Sequence, residues 1–207
     1  MMTGPITYIA TQEYDSGLST TTTLLQCTRG HYVYVEAEKA HHFKYNSYAS
    51  PLTSFTGYRL YPENDTDNAV AFNALMSNNH TTTEVYQPLM FDEILLNIGG
   101  CFDPVLSEFT CPDDLYYAFT WSSAANEGGQ SSHLDLTMDN STIDHIYLTA
   151  QTTSDDTGTS GTCSMTVIVQ CNTNSTLQVV GRTVRERIYL GGYTSFLGFR
   201  IPGQELP

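Results

Sequence analysis

The sequence predicts an all-β sandwich, and three features carry that prediction. The apolar runs are short, about four to six residues, as strands bounded by polar turns are. Thr, Ser, Asn, Asp and Tyr dominate a chain whose apolar share of 40% still suffices to build a core. Turn-forming pairs such as Gly99-Gly100 and Asp103-Pro104 interrupt the runs at close intervals, while helix formers are scarce.

In chain order, the first clear strand covers residues 70–75, Val-Ala-Phe-Asn-Ala-Leu, and the second covers 91–97 before Gly99-Gly100 breaks it. Turns at Asp103-Pro104 and Cys111-Pro112-Asp113-Asp114 frame residues 115–121, Leu-Tyr-Tyr-Ala-Phe-Thr-Trp, an aromatic core strand. Further strands are expected over 134–138, 145–151, 164–171, 176–180 and 187–190, and the last over 194–201.

The chain also repeats itself. Tyr8-Ile9-Ala10-Thr11-Gln12 resembles Tyr147-Leu148-Thr149-Ala150-Gln151 at an offset of 139 residues. Thr22-Thr23-Leu24-Leu25-Gln26-Cys27 resembles Thr166-Val167-Ile168-Val169-Gln170-Cys171 at 144, and Thr53 to Leu60 resembles Thr194 to Ile201 at 141. Three matches in one order, with offsets drifting by loop-sized amounts, indicate duplication. Residues 69–207 are then one complete unit, 62–68 a Pro-led polar linker, and 1–61 the closing half of a second unit. Half a sandwich exposes a hydrophobic sheet face and unpaired edges. The expectation is therefore a segment of a longer tandem array, from incomplete sequence or proteolytic processing. The rival is that another chain supplies the missing strands.

Several blocks carry a family resemblance. Val70-Ala71-Phe72-Asn73-Ala74, Phe91-Asp92, Asn97-Ile98-Gly99-Gly100, Phe102-Asp103-Pro104, Phe109-Thr110-Cys111-Pro112, Tyr116-Tyr117-Ala118-Phe119 and Ser195-Phe196-Leu197-Gly198-Phe199 follow in order over about 130 residues. They resemble the successive signature blocks of the C1q globular domain. The resemblance implies a ten-stranded C1q/TNF-like jelly-roll β-sandwich, secreted, packed as a trimer and used for binding. Two departures stand out. The Gly-Asp-x-Val step that often follows the long strand is replaced by residues 172–177 and, in the first unit, 28–33; no Gly-X-Y collagen period occurs.

Candidate sites follow from residue chemistry. Five cysteines without a CxxC pair suit an oxidising compartment. Cys101, Cys111, Cys163 and Cys171 permit three connectivities. Because Cys27, the counterpart of Cys171, recurs without a neighbour like Cys163, the duplication favours Cys111–Cys171 and hence Cys101–Cys163, with Cys27 unpaired. Four Asn-X-Ser/Thr sequons start at Asn64, Asn79, Asn140 and Asn174. Carboxylates at Asp113, Asp114, Asp155 and Asp156, with a further cluster at Glu63, Asp65 and Asp67, are weak Ca²⁺ candidates, and no EF-hand spacing supports them. Adjacent His41 and His42 point to opposite faces of any strand and suit a surface loop. Tyr116, Tyr117, Phe119, Trp121, Phe196 and Phe199 are expected in the core or on the trimer axis, whereas Tyr45, Tyr48 and Tyr193 could stack a ligand on surface loops.

Charge and motifs narrow the function classes. Net charge −14 repels a phosphate backbone, so no nucleic-acid partner is expected. No run approaches the roughly 18 apolar residues of a membrane span, and the start lacks a signal-peptide pattern. No nucleophile elbow, zinc-protease motif or phosphate loop is present, so no enzyme and no cofactor beyond Ca²⁺ is expected. The leading expectation is a secreted recognition protein, lectin-like or of innate immunity, binding glycans, microbial surfaces or protein ligands multivalently as a homo- or hetero-oligomer of C1q-like domains. An extracellular matrix assembly subunit is the alternative, and a cytokine-like ligand comes third.

Overall fold

The computed structural model describes residues 22–28, 30–34, 57, 59–60, 69–125, 131–139, 150–153, 161–182, 187–188 and 194–203. Among them there are thirteen strands and no helix: β1 Ala71–Leu75, β2 His80–Thr81, β3 Gln87–Pro88, β4 Glu93–Ile98, β5 Phe102–Asp103, β6 Glu108–Thr110 and β7 Tyr116–Ala125. They continue with β8 Ser131–Met138, β9 Ala150–Thr153, β10 Gly161–Gln170, β11 Thr176–Gly181, β12 Arg187–Ile188 and β13 Ser195–Arg200. The four short strands β2, β3, β5 and β6 are absent from the sequence-based expectation. Two or three residues hold too little periodicity to be read from sequence.

The strands form two antiparallel sheets. One runs β2-β12-β7-β13-β1-β4, with β10 also on β7; the other runs β5-β6-β11-β8-β9, with β3 also on β11. β7 is the hub of the first sheet. It pairs with β10 from Tyr116↔Gln170 to Ala125↔Gly161, and on its other edge with β13 from Tyr117↔Arg200 to Ser122↔Ser195. β13 then pairs with β1, and β1 with β4 through a register shift between Asn73 and Ala74. Described residues 22–28 and 30–34, the counterparts of β10 and the turn after it, belong to no strand.

Alternation along the strands decides which face is core. Tyr117, Phe119 and Trp121 of β7 point between the sheets and are fully buried. They meet Phe72, Phe91, Phe102, Phe109 and Phe196 in one cluster, where Phe72 stacks on Phe102 at 4.5 Å and lies edge-on to Phe196 at 4.8 Å. Burying each ring contributes roughly 1.5–3 kcal/mol, and the offset and edge-on geometries suit the ring quadrupoles. The Trp121 indole N–H donates to the Leu134 carbonyl at 3.3 Å, so its one polar group is satisfied across the sandwich.

Aromatic packing also explains Gly198. A Cβ there would lie 2.6 Å from ring atoms of both Phe119 and Phe72, so only glycine lets β13 approach these rings. Gly99 and Gly100, with φ of 83° and 65°, make the left-handed turn that ends β4.

Candidate functional site

The outward face of the first sheet differs from an ordinary solvated surface. Ala71, Asn73 and Leu75 of β1, Ala118, Thr120 and Ser122 of β7, and Ser195, Leu197 and Phe199 of β13 all point away from the aromatic core, and all are buried. On it Ala71, Ala118 and Phe199 form one apolar cluster, with Leu24, Leu60, Leu96 and Ile201 packed against them. Its hydroxyls pair within the sheet: those of Ser122 and Ser195 bond at 2.7 Å, and those of Thr120 and Thr166 at 2.8 Å. Asn73 reaches outward. Its Nδ2 donates to Thr23 Oγ1 at 2.8 Å and to the Leu24 carbonyl at 3.1 Å, while its buried Oδ1 has no partner among the described residues.

At one end of the sandwich a polar clip holds the strands. Arg200 pairs with the Asp113 carboxylate, and the Tyr117 hydroxyl donates to Asp113 Oδ1 at 2.6 Å. Burial, and then the bond to Asp113, push the Tyr117 phenol above its usual range. Next to it, Asp114 accepts from the Thr173 backbone N–H and from Thr173 Oγ1, and these bonds hold its carboxyl below the usual range. The clip therefore uses both Asp113 and Asp114 to tie the 111–114 turn to β13 and to the 172–175 turn. Asp155 and Asp156 lie outside the described residues, as do Glu63, Asp65 and Asp67. Among those described, no three His, Cys, Asp or Glu side chains converge on a metal position.

The cysteines separate into three situations. Cys111 and Cys171 are both fully buried and carry free thiols that touch each other; their mutual hydrogen bond, with burial, pushes the Cys111 thiol far up. Cys27 is an exposed thiol. Cys101 is partly buried, its thiol raised by burial and influenced by Arg200 and Asp113, which places it at the Tyr117 end of β7. Cys163 pairs with Ser123, six residues further along that strand, or roughly 20 Å at about 3.3 Å per residue. A disulfide needs Cα atoms within about 7 Å. The register thus speaks against the expected Cys101–Cys163 pairing.

Other expectations divide the same way. Tyr117, Phe119, Trp121 and Phe196 are core, and Phe199 belongs to the outward cluster. Tyr116 alternates outward instead and is half exposed, its hydroxyl donating to Gln170 Oε1 at 3.4 Å. The sequons at Asn79 and Asn174 are exposed, the latter on a left-handed turn with φ of 68°. Asn64, Asn140, His41, His42, Tyr45, Tyr48, Tyr193 and the 62–68 linker lie outside the described residues.

One surface cluster is not legible in the sequence. Val105 and Leu106, on the turn between β5 and β6, are 77% and 55% exposed. Gln178 Nε2 donates to the Leu106 carbonyl at 3.0 Å, and Ser107 Oγ accepts the Phe91 N–H at 2.6 Å, which brings exposed Met90 beside the same turn. Asp103 Oδ1 accepts from the N–H groups of Val105 and Leu106, fixing the turn that displays them. The two adjacent apolar residues signal it only once the Asp103-Pro104 turn is known to face solvent.

Two antiparallel sheets joined through a shared aromatic core define a jelly roll of the C1q and tumour-necrosis-factor type. Residues 71–199 match the model of the C1q domain family, and the chain belongs to that family. No curated protein matches the sequence. Among solved structures, the globular domain of zebrafish complement 1qA protein aligns with a TM-score of 0.51 at 17% identity, over 63% of this chain and 95% of that one. Murine APRIL at pH 5.0 gives 0.53 at 10%, over 65% and 99%. Eiger TNF from S. frugiperda gives 0.52 at 13%, over 67% and 98%. At these identities the likeness is one of fold.

Proposed function

We propose that this chain is a secreted recognition protein in which C1q-type heads bind protein, glycan or microbial-surface ligands multivalently. The observation that carries this reading is the apolar turn at Val105 and Leu106, held out from a rigid sandwich by Asp103 and Gln178. Exposed aliphatic groups on a fixed turn present contact area at little ordering cost, which is what a recognition loop needs. Superfamily domains assemble as trimers, and linked heads gain avidity through effective concentration. A binding rather than a catalytic role fits the side chains of the site, since Asp113, Asp114 and Asp139 all accept hydrogen bonds from their own chain.

A glycan array and a bacterial-adsorption assay, run with the parent chain and a Val105→Ser/Leu106→Ser variant, test the proposal. Retention of the parent and at least a tenfold loss in the variant are expected. No retention of the parent on either surface would defeat it. A second reading, a matrix assembly subunit, is favoured by the packing of Leu24 and Leu60 on the outward sheet face. Recovery of the protein from its source as an abundant ordered polymer would select that reading.

A further inference from the structure

Charge sets the chemistry of what the exposed turn between β5 and β6 can hold. Leu89 and Phe91 alternate into the core and are fully buried, so Pro88 and Met90 face outward. The Ser107 hydroxyl, accepting the Phe91 N–H, joins Met90 to Val105 and Leu106 in one apolar row. Carboxylates rim that row. Asp103 and Glu108 stand directly opposite each other in the β5-β6 pair on either side of the turn, and exposed Asp92 and Glu93 follow Met90 in the chain. Opposed like charges weaken a strand pair. The nearby sequence supplies no cation to offset them: no Lys or Arg occurs between Arg59 and Arg182, Arg182 lies 3.8 Å from Asp135, and Arg200 is held by Asp113.

We propose that this row is the docking site of a cationic amphipathic polypeptide segment, whose aliphatic or aromatic side chains cover Met90, Val105 and Leu106 while its Lys or Arg groups meet Asp103 and Glu108. The inference rests on the recognition reading above and narrows its ligand to a protein. Charge complementarity selects the occupant. A cation seated between Asp103 and Glu108 removes their repulsion, whereas an acidic segment or an anionic polymer adds to it. A neutral sugar offers these carboxylates hydrogen bonds but no charge. A second copy of this chain, at net charge −14, is repelled overall. Each half of the site supplies what the other lacks. Ion pairs at an exposed rim steer the encounter but hold weakly, and the covered aliphatic groups supply the burial that retains the segment.

Fluorescence anisotropy with the full chain tests it, using synthetic peptides of one length: Lys with Leu, Glu with Leu, and Lys alone. The Lys/Leu peptide is expected to bind about tenfold more tightly than either control, and to weaken as salt rises. Val105→Ser/Leu106→Ser should lose about tenfold for that peptide by removing the apolar contact. Asp103→Asn/Glu108→Gln keeps an acceptor oxygen for the turn; it should lose about as much at low salt and flatten the salt dependence. Emission of Trp121, the single tryptophan and fully buried, reports that the sandwich is intact in each variant. Equal affinity for the Glu/Leu peptide, equal affinity for the Lys peptide, or full affinity in either variant would overturn the proposal. The peptide series on the parent decides it even where a variant does not fold. Retention of the parent on the glycan array or on bacteria, with no preference for the Lys/Leu peptide, would sink this inference alone and leave the recognition reading standing.

Discussion

At Cys111 and Cys171, single side chains make a prediction that composition alone could not. Both sulfurs are fully buried, out of reach of a dissolved oxidant, and burial also holds the Cys111 thiol protonated although the thiolate is the reacting species. A bond between these two must therefore form while the chain is still open, as each sulfur loses a proton and the pair passes two electrons to a disulfide such as oxidised glutathione. We expect unreduced peptide maps of protein folded in that couple to contain a Cys111–Cys171 linked peptide. Closing a loop of roughly sixty residues this way would stabilise by about 4 kcal/mol in the chain-entropy account. Protein folded under reducing conditions should lose about that much in urea denaturation, and equal stability would refute the bond. His80 makes a second prediction. Its Nε2 is buried without a partner among the described residues, and burial lowers its pKa below 6.5. The unfolded chain then binds the proton more readily than the fold does. The contribution is complete above pH 6.5 and is lost as pH falls below that value. The melting temperature should drop between pH 7.5 and 5.5, and by less in a His80→Gln variant; equal drops would remove His80 as the cause.

At the scale of elements, the contrast between β13 and its repeat separates motif from packing. Ser54-Phe55-Thr56-Gly57-Tyr58 and Ser195-Phe196-Leu197-Gly198-Phe199 read alike, yet a Cβ at Gly57 meets nothing within 4 Å while one at Gly198 runs into two phenyl rings. Gly198→Ala should cost about 1–3 kcal/mol by overpacking, and Gly57→Ala close to nothing. Similar urea midpoints for the two variants would contradict the packing account. Long strands were readable because alternation extends over enough residues to average out exceptions: 115–121 and 164–171 foretell most of β7 and β10. Tyr116 escaped because an aromatic residue beside Tyr117 looks equally fit for the core, and only the parity of β7 turns it outward. β5 and β6 escaped because their strand character comes from pairing with each other and β11 across the 103–108 turn.

For the whole molecule, the loss of retention expected of Val105→Ser/Leu106→Ser is the prediction that belongs at this scale, because linked heads bind through effective concentration. A β architecture and membership of the C1q family could both be recognised in one dimension. Strand alternation, turn chemistry and the Phe-Thr-Cys-Pro and Ser-Phe-Leu-Gly-Phe blocks are local, and local patterns survive in a string of letters. The repeat singled out Cys111 and Cys171 as an expected pair, and the structure holds them as two buried, neighbouring thiols. The tertiary structure alone decided that Cys163 stands roughly 20 Å along β7 from the Tyr117 end, and that Asp113 and Asp114 bind Arg200, Tyr117 and Thr173. It likewise decided that the outward face of a sheet is covered by Leu24 and Leu60. Each depends on register and on contacts between residues tens of positions apart, such as Asn73 with Thr23. Such contacts are set by the free energy of burying whole faces together, and no short stretch of sequence contains it.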